Sequence, residues 1–207
     1  AIAALKSLRS RAVIHINSVL QEIELLQRNL PDTPMIGVSD SVFDATEDDY
    51  IRSYAISQAH AKQFDIWRFG YHGLSASSIV RTLRKKHQLA DKIVLCHLGG
   101  GASITALKKG LIVDNSMGYS PLEGLMSSTR SGSIDPIAAG VLKHELQLSS
   151  EQLVEYLNLH AGLLGVSGVS GDIRELLEAE SSQPAAKLAL EMYVSRIQQT
   201  IGQMVAV

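Results

Sequence analysis

Lys92-Ile93-Val94-Leu95-Cys96 is an apolar run of strand length, and it leads directly into His97-Leu98-Gly99-Gly100-Gly101. Ala102 to Leu107 follow, then Lys108-Lys109-Gly110 and the short run Leu111-Ile112-Val113. Glycines between strand-like runs predict strand, tight turn, strand, hairpin, strand. A dinucleotide fingerprint needs its glycines to lead from a strand into a helix, so this pattern argues against one. The flanking segments carry helical periodicity, and strands mixed with helices predict an α/β fold.

The remaining elements are read from local signals. Ser18 and Gln21 have capping-box spacing, with Val19, Leu20, Ile23 and Leu26 following at helical intervals, and Leu30-Pro31-Asp32 stops that helix. Met35-Ile36-Gly37-Val38 reads as a buried strand with Ser39-Asp40 at its C-terminal end. Residues 45–66 read as loop and helix. Trp67 to Tyr71 reads as a second strand, followed by His72-Gly73. Residues 75–88 read as a helix with Ile79, Val80 and Leu83 inward. A long loop spans 114–134; Asp135-Pro136 opens a helix as N-cap and N1, and Ser149 with Gln152 opens another. After the glycine-rich stretch 162–171, Asp172 to Glu180 is helical and Pro184 starts a last helix.

Composition narrows the class of function. The chain has 207 residues, 45% hydrophobic and 19% charged, which suits one large globular domain or two small ones. A net charge of −2 gives no electrostatic footprint for nucleic acid, and Arg84-Lys85-Lys86 reads as a solvated helix end. The one cysteine, Cys96, has no partner for an intramolecular disulfide, which fits a reducing, cytoplasmic setting. No apolar run reaches the roughly 18 residues of a membrane span, so no membrane association is expected. The chain opens without Met on Ala1-Ile2-Ala3-Ala4, inside helix-like sequence, and is expected to be the central piece of a longer protein.

Several catalytic motifs are excluded. His144-Glu145 has Leu148 where a zinc protease needs its second His. Neither Ser167 nor Ser170 has the flanking glycines of a nucleophile elbow, and no glycine precedes Lys-Ser or Lys-Thr as in a P-loop. What remains is a set of polar residues at expected strand ends: Asp40, His72 and His97, where ligands collect in open α/β sheets. Singly, such an Asp is usually a turn or cap residue and such a His a satisfied core or surface residue. Gly99-Gly100-Gly101 serves a tight turn, or lets backbone N–H groups approach a phosphate. Arg130, within Ser128-Thr129-Arg130-Ser131-Gly132, is either a surface ion pair or an anion clamp. Together these residues describe an anion- or phosphate-handling domain.

In order along the chain, Thr33 to Asp40, Arg68-Phe-Gly-Tyr-His-Gly73, His97-Leu-Gly-Gly-Gly-Ala-Ser103, Asp114 to Leu125, Thr129-Arg-Ser-Gly-Ser-Ile-Asp-Pro136 and Leu164 to Arg174 resemble the acetate kinase family. The resemblance implies a ribonuclease-H-like, actin-like ATPase fold: a mixed sheet with flanking helices, incomplete here. It implies a first-domain remnant over 1–42 and most of a second, nucleotide-binding domain over 43–207. It implies phosphoryl transfer from ATP to acetate or propionate, with Mg²⁺, in a protein that is homodimeric at full length. By matching position, Asp40 acts at the carboxylate end of the site, and His72 and Arg130 stabilise charge on the transferring phosphoryl group. His97 and Gly99 to Gly101 border the phosphates, and Asp172, Ile173 and Arg174 lie against the adenosine. No metal ligand is assigned. The sequence departs from the family pattern at Ser39, Asp44, Ala76, Gly100 and Ser133. A non-catalytic relative, binding nucleotide or acting as a scaffold on the same fold, is the alternative. This segment alone is expected to be inactive.

Overall fold

A computed structural model describes residues 2–7, 13–42 and 49–207; Asp44, one of the departures, lies outside them. Ala1–Ser39 forms one compact unit and Asp40–Val207 another.

The first unit contains α1 (Ile2–Ser7) and α2 (Val13–Asn29). Ser18 sits inside α2 rather than capping it, because the helix extends upstream of the capping-box spacing. The stop at Leu30-Pro31 is as expected. Met35–Val38 is not a strand. Residues 34–40 make no ladder, and Met35, Ile36 and Val38 are exposed, Ile36 at 87%. An apolar run becomes a strand only where a neighbouring strand accepts its backbone, and none of the described strands does so here.

The second unit begins with α3 (Asp49–Arg52), α4 (Gln58–Phe64) and α5 (Gly73–Lys85). Trp67–Tyr71 is also not a strand, since the end of α3 and the loop at Gly118 take its amides. The Arg68 amide donates to Arg52 O at 2.8 Å, and the Phe69 and Gly70 amides to Gly118 O at 3.0 and 3.2 Å. In α5 the inward pair is Ala76 and Val80, one turn apart, while Ile79 is exposed.

The predicted β pattern forms as read: β1 (Lys92–Leu98), β2 (Ala102–Lys108) and β3 (Leu111–Asn115) make an antiparallel sheet in that order. β2 is central and buried over six consecutive residues, whereas β1 is an edge strand on which Leu95 is buried and Cys96 exposed. The period of two divides β2 between two layers. Ala102, Ile104 and Ala106 face a core with Leu163, Leu176 and Ala189, contributed by α8 (Gly162–Ser167), α9 (Ile173–Ala179) and α10 (Pro184–Val205). Leu107, on the opposite face, packs with Leu95 and with Ala76 and Val80 of α5. Helices thus cover both faces of the sheet.

Two more helices start where the sequence places them. In α6 (Pro136–Glu145) the Asp135 carboxylate accepts from Ile137 and Ala138 N–H groups. In α7 (Ser150–Leu159) Ser149 and Gln152 close a reciprocal capping box. Pro184 begins α10, which buries Leu190 and Tyr193 and exposes Leu188 and Val194.

Candidate functional site

The site gathers at the end of the sheet where β1 turns into β2, on the α5 face. His72 precedes α5 in a left-handed conformation, φ +64°, which a non-glycine residue adopts at a cost of about 1–3 kcal/mol. Asp40 holds it there. The Asp40 carboxylate accepts from His72 N at 3.3 Å and Leu74 N at 3.0 Å, and its carbonyl accepts from Gly73 N at 2.9 Å. Gly73 is required for this approach, since a Cβ there would lie 2.5 Å from Ser41 O. Asp40 therefore anchors three consecutive amides at the start of α5, where an anion is favoured by the helix dipole.

His97, one residue before the end of β1, lies opposite Ser103 of β2, so both point to the α5 face. The His72 and His97 rings stack with centroids 3.9 Å apart and 19° between planes. His72 Nδ1 lies 2.9 Å from Ser103 Oγ, and His97 Nδ1 lies 3.1 Å from Ser75 Oγ. The remaining nitrogens face the glycine turn. A Cβ on Gly101 would lie 3.6 Å from His72 Nε2, and one on Gly99 would lie 3.4 Å from His97 Nε2. The same Gly101 position lies 2.8 Å from Arg130 Nη1, so side chains absent from the turn leave room for the guanidinium and both imidazoles. Gly100 faces open space. Burial pushes the Arg130 guanidinium below its ordinary pKa.

Arg130 reaches this place on a loop laced to two helices. Ser127 and Ser128 carbonyls accept the first free N–H groups of α8, from Leu163 and Leu164, both at 2.9 Å. Ser131 N donates to Leu157 O at 2.9 Å, and Thr129 Oγ1 to Asn158 O at 2.8 Å. Gly162, with φ +61°, lets the backbones meet. A Cβ there would stand 2.3 Å from Ser127 O and within 2.8 Å of Arg130 N and O.

Asp40, His72, His97, Gly99, Gly101 and Arg130 are thus brought together. Asp172, Ile173 and Arg174 are organised differently. Asp172 caps α9, accepting from Arg174 N at 2.9 Å, and its carboxylate takes two bonds from the Arg174 guanidinium, through Nε and Nη2. The bonds from Arg174 hold the Asp172 carboxyl down at about 2. Ile173 packs against the core under α9. Among the described residues no group of three His, Cys, Asp or Glu side chains is placed to hold a metal ion.

Sequence reasoning missed the residues that support His72. Tyr54 donates a short bond to Glu123 Oε2 and accepts from Tyr119 N at 2.7 Å, which pins Gly118, the acceptor for Phe69 and Gly70. Burial first, then Glu123, pushes the Tyr54 hydroxyl pKa up. Arg68 braces the same strap, donating to Asn115 O at 2.6 Å and Asp114 Oδ1 at 3.0 Å. Nothing local in the sequence marks Tyr54 as a partner for Glu123. Ser103 lies inside a quoted motif and Ser75 two residues past another, yet only the folded chain sets them against the histidines.

The model of the Acetokinase family matches residues 1–207. The acetate kinase of Brachyspira hyodysenteriae is 39% identical over 207 residues, which is all of this chain and 52% of that protein. Among solved structures, a propionate kinase from Francisella tularensis subsp. tularensis aligns with TM-score 0.90 at 31% identity, covering 99% of this chain and 54% of the other. The acetate kinase of Entamoeba histolytica aligns with TM-score 0.85 at 36% identity, with 99% and 54% covered. The chain spans about half the length of these relatives.

Proposed function

The chain belongs to the Acetokinase family, and from that premise we propose that it contributes the phosphoryl-handling part of an ATP-dependent kinase acting on a short-chain carboxylate, acetate or propionate. The observation that carries this reading is the convergence of the Arg130 guanidinium and the two imidazole Nε2 atoms on the side-chain-free turn Gly99–Gly101. Transfer of the γ-phosphoryl group forms a bond from a carboxylate oxygen to phosphorus and breaks the bond to the β–γ bridging oxygen, releasing ADP and an acyl phosphate. Little covalent chemistry falls to the protein, so positioned donors carry the catalysis. Arg130 offers a rigid fork of donors to charge on the transferring oxygens, and desolvation strengthens each contact.

His72 adds an aimed donor, and Asp40 fixes the amides that hold His72 in its left-handed turn. His97 and the glycine turn border the phosphates, and the α9 start at Asp172–Arg174 is assigned to the adenosine side. Mg²⁺, which is held largely by substrate phosphates in such enzymes, would neutralise charge on the nucleotide. On the same reading 1–42 belongs to a first domain and 43–207 to the second, in a cytoplasmic protein that dimerises at full length. No helix among the described residues is long and apolar enough to cross a membrane.

The test is ADP release with acetate, propionate and butyrate by a chain of the relatives' full length carrying these residues. Activity with acetate or propionate is expected. Inactivity with every carboxylate, alongside retained nucleotide binding, would move the reading to a non-catalytic relative.

A further inference from the structure

Two serines sit behind the two histidines, and neither belongs to the donor set described above. Ser103 is fully buried on β2, and His72 Nδ1 is its hydroxyl's one hydrogen-bond partner among the described residues. A serine hydroxyl carries one proton and two lone pairs. If His72 held its proton on Nδ1, that proton would point at Ser103 Oγ and the buried serine proton would have no acceptor. Leaving a buried donor unmade is unfavourable. The arrangement that satisfies both groups has Ser103 donating to an unprotonated Nδ1, with the imidazole proton on Nε2. His97 Nδ1 likewise meets a serine hydroxyl, that of Ser75 on the first turn of α5; Ser75 is half-buried rather than fully buried, and donation from its hydroxyl to an unprotonated Nδ1 pairs both groups. The choice matters because both Nε2 atoms face the glycine turn, His72 towards Gly101 and His97 towards Gly99.

We propose that Ser103 and Ser75 are positioning residues that hold His72 and His97 as neutral, stacked Nε2–H tautomers, so that both rings present a donor to the glycine turn. The tautomers follow from the serine contacts alone. That the donors act on a phosphoryl group rests on the function proposed above. Neutral rings also suit the stack, since two imidazolium rings with centroids 3.9 Å apart would repel. Arg130 then supplies the cation at the turn, and the histidines supply direction.

The experiment is nitrogen NMR of side-chain imidazoles in the ¹⁵N-histidine-labelled full-length chain, with His72→Gln and His97→Gln for assignment. Both rings are expected to carry hydrogen on Nε2 in the neutral state. Ser103→Ala should shift His72 towards a mixture of tautomers and leave His97 unchanged, Ser75→Ala should do the reverse, and Ser103→Thr should restore the His72 signature. In the kinase assay Ser103→Ala should lower kcat about tenfold, the rate equivalent of one net hydrogen bond, with KM for ATP little changed. Hydrogen on Nδ1 of either wild-type ring, or tautomers unmoved in both alanine variants, would overturn the proposal. Should Ser103→Ala fail to fold, the wild-type tautomers decide it. Added pyrophosphate separates the two layers. If the serine-dependent tautomers are present but pyrophosphate leaves both Nε2 signals unshifted, the positioning stands and the phosphoryl reading fails.

Discussion

The Asp172–Arg174 pair and the His72–His97–Arg130 cluster fall in segments whose resemblance implies opposite ends of one nucleotide, the adenosine and the transferring phosphoryl group, and they are assembled in opposite ways. Asp172 meets Arg174 two residues along the chain, and its partners are supplied by the start of α9 itself. His72 depends on Asp40 for its backbone, on β2 for its Nδ1 partner and on β1 for the ring it stacks against. Arg130 depends on α7 and α8 to hold its loop. A local pair survives rearrangement elsewhere, whereas a cluster built from five segments is only as sound as the packing between them.

That contrast can be broken at its strongest point first. Arg130→Ala in the full-length chain should lower kcat by about 10²–10³, as removal of one charge-stabilising donor typically does. Its melting temperature should move little, because the charge matters mainly in the transition state. Equal losses of stability and rate would make Arg130 a structural residue instead.

Gly162→Ala alters no side chain of the cluster. Its left-handed φ and the backbone atoms that crowd its missing Cβ should nonetheless destabilise the second unit by about 2–4 kcal/mol. Thermal unfolding measures this, and an unchanged midpoint would mean the Arg130 loop does not need the contact.

Tyr54→Phe should cost about 1–2 kcal/mol by leaving Glu123 and the Tyr119 amide without their shared partner. The sign with pH is fixed by the direction of the shift. The folded state binds the phenolic proton more tightly than the unfolded chain, so the tyrosine's contribution is complete below the ordinary value of 10.0 and is lost as pH rises beyond it. The alkaline arm of a stability curve should therefore be shallower in Tyr54→Phe, and identical arms would disprove the clasp.

Arg174→Gln should have the smallest effect. The Asp172 carboxyl midpoint, followed by NMR, should rise from about 2 towards 3.8. The depressed carboxyl favours folding above its ordinary range, and that contribution fades as pH falls towards 2. Arg174 is exposed and Asp172 half-buried, and a largely exposed pair adds little, so the neutral-pH melting temperature should barely move. If Arg174→Gln instead disturbed the His72 and His97 resonances, the two regions would be one.

Legibility in the sequence follows the range of the forces involved. The β1–turn–β2–hairpin–β3 order, the caps at Asp135 and Ser149, the Pro184 start of α10 and a helix from about Asp172 were readable because each is set by residues within a few positions of one another. The motif matches likewise identified Asp40, His72, His97 and Arg130 as residues to watch. The two errors in strand assignment share one cause. Met35–Val38 and Trp67–Tyr71 have strand-like composition, yet a strand exists only where another strand completes its hydrogen bonds, and none of the described strands pairs with either.

By itself the sequence determined the starts of α6, α7, α9 and α10, the glycine turns, the alternation that gives β2 two faces and the family of the chain. Tertiary structure alone decided that Ser103 and Ser75 stand behind the histidines, that both Nε2 atoms look onto one turn and that Arg130 joins them. Those facts depend on which backbone approaches which across the sheet and the helix ends, and close approach is settled by packing among residues the chain order keeps far apart.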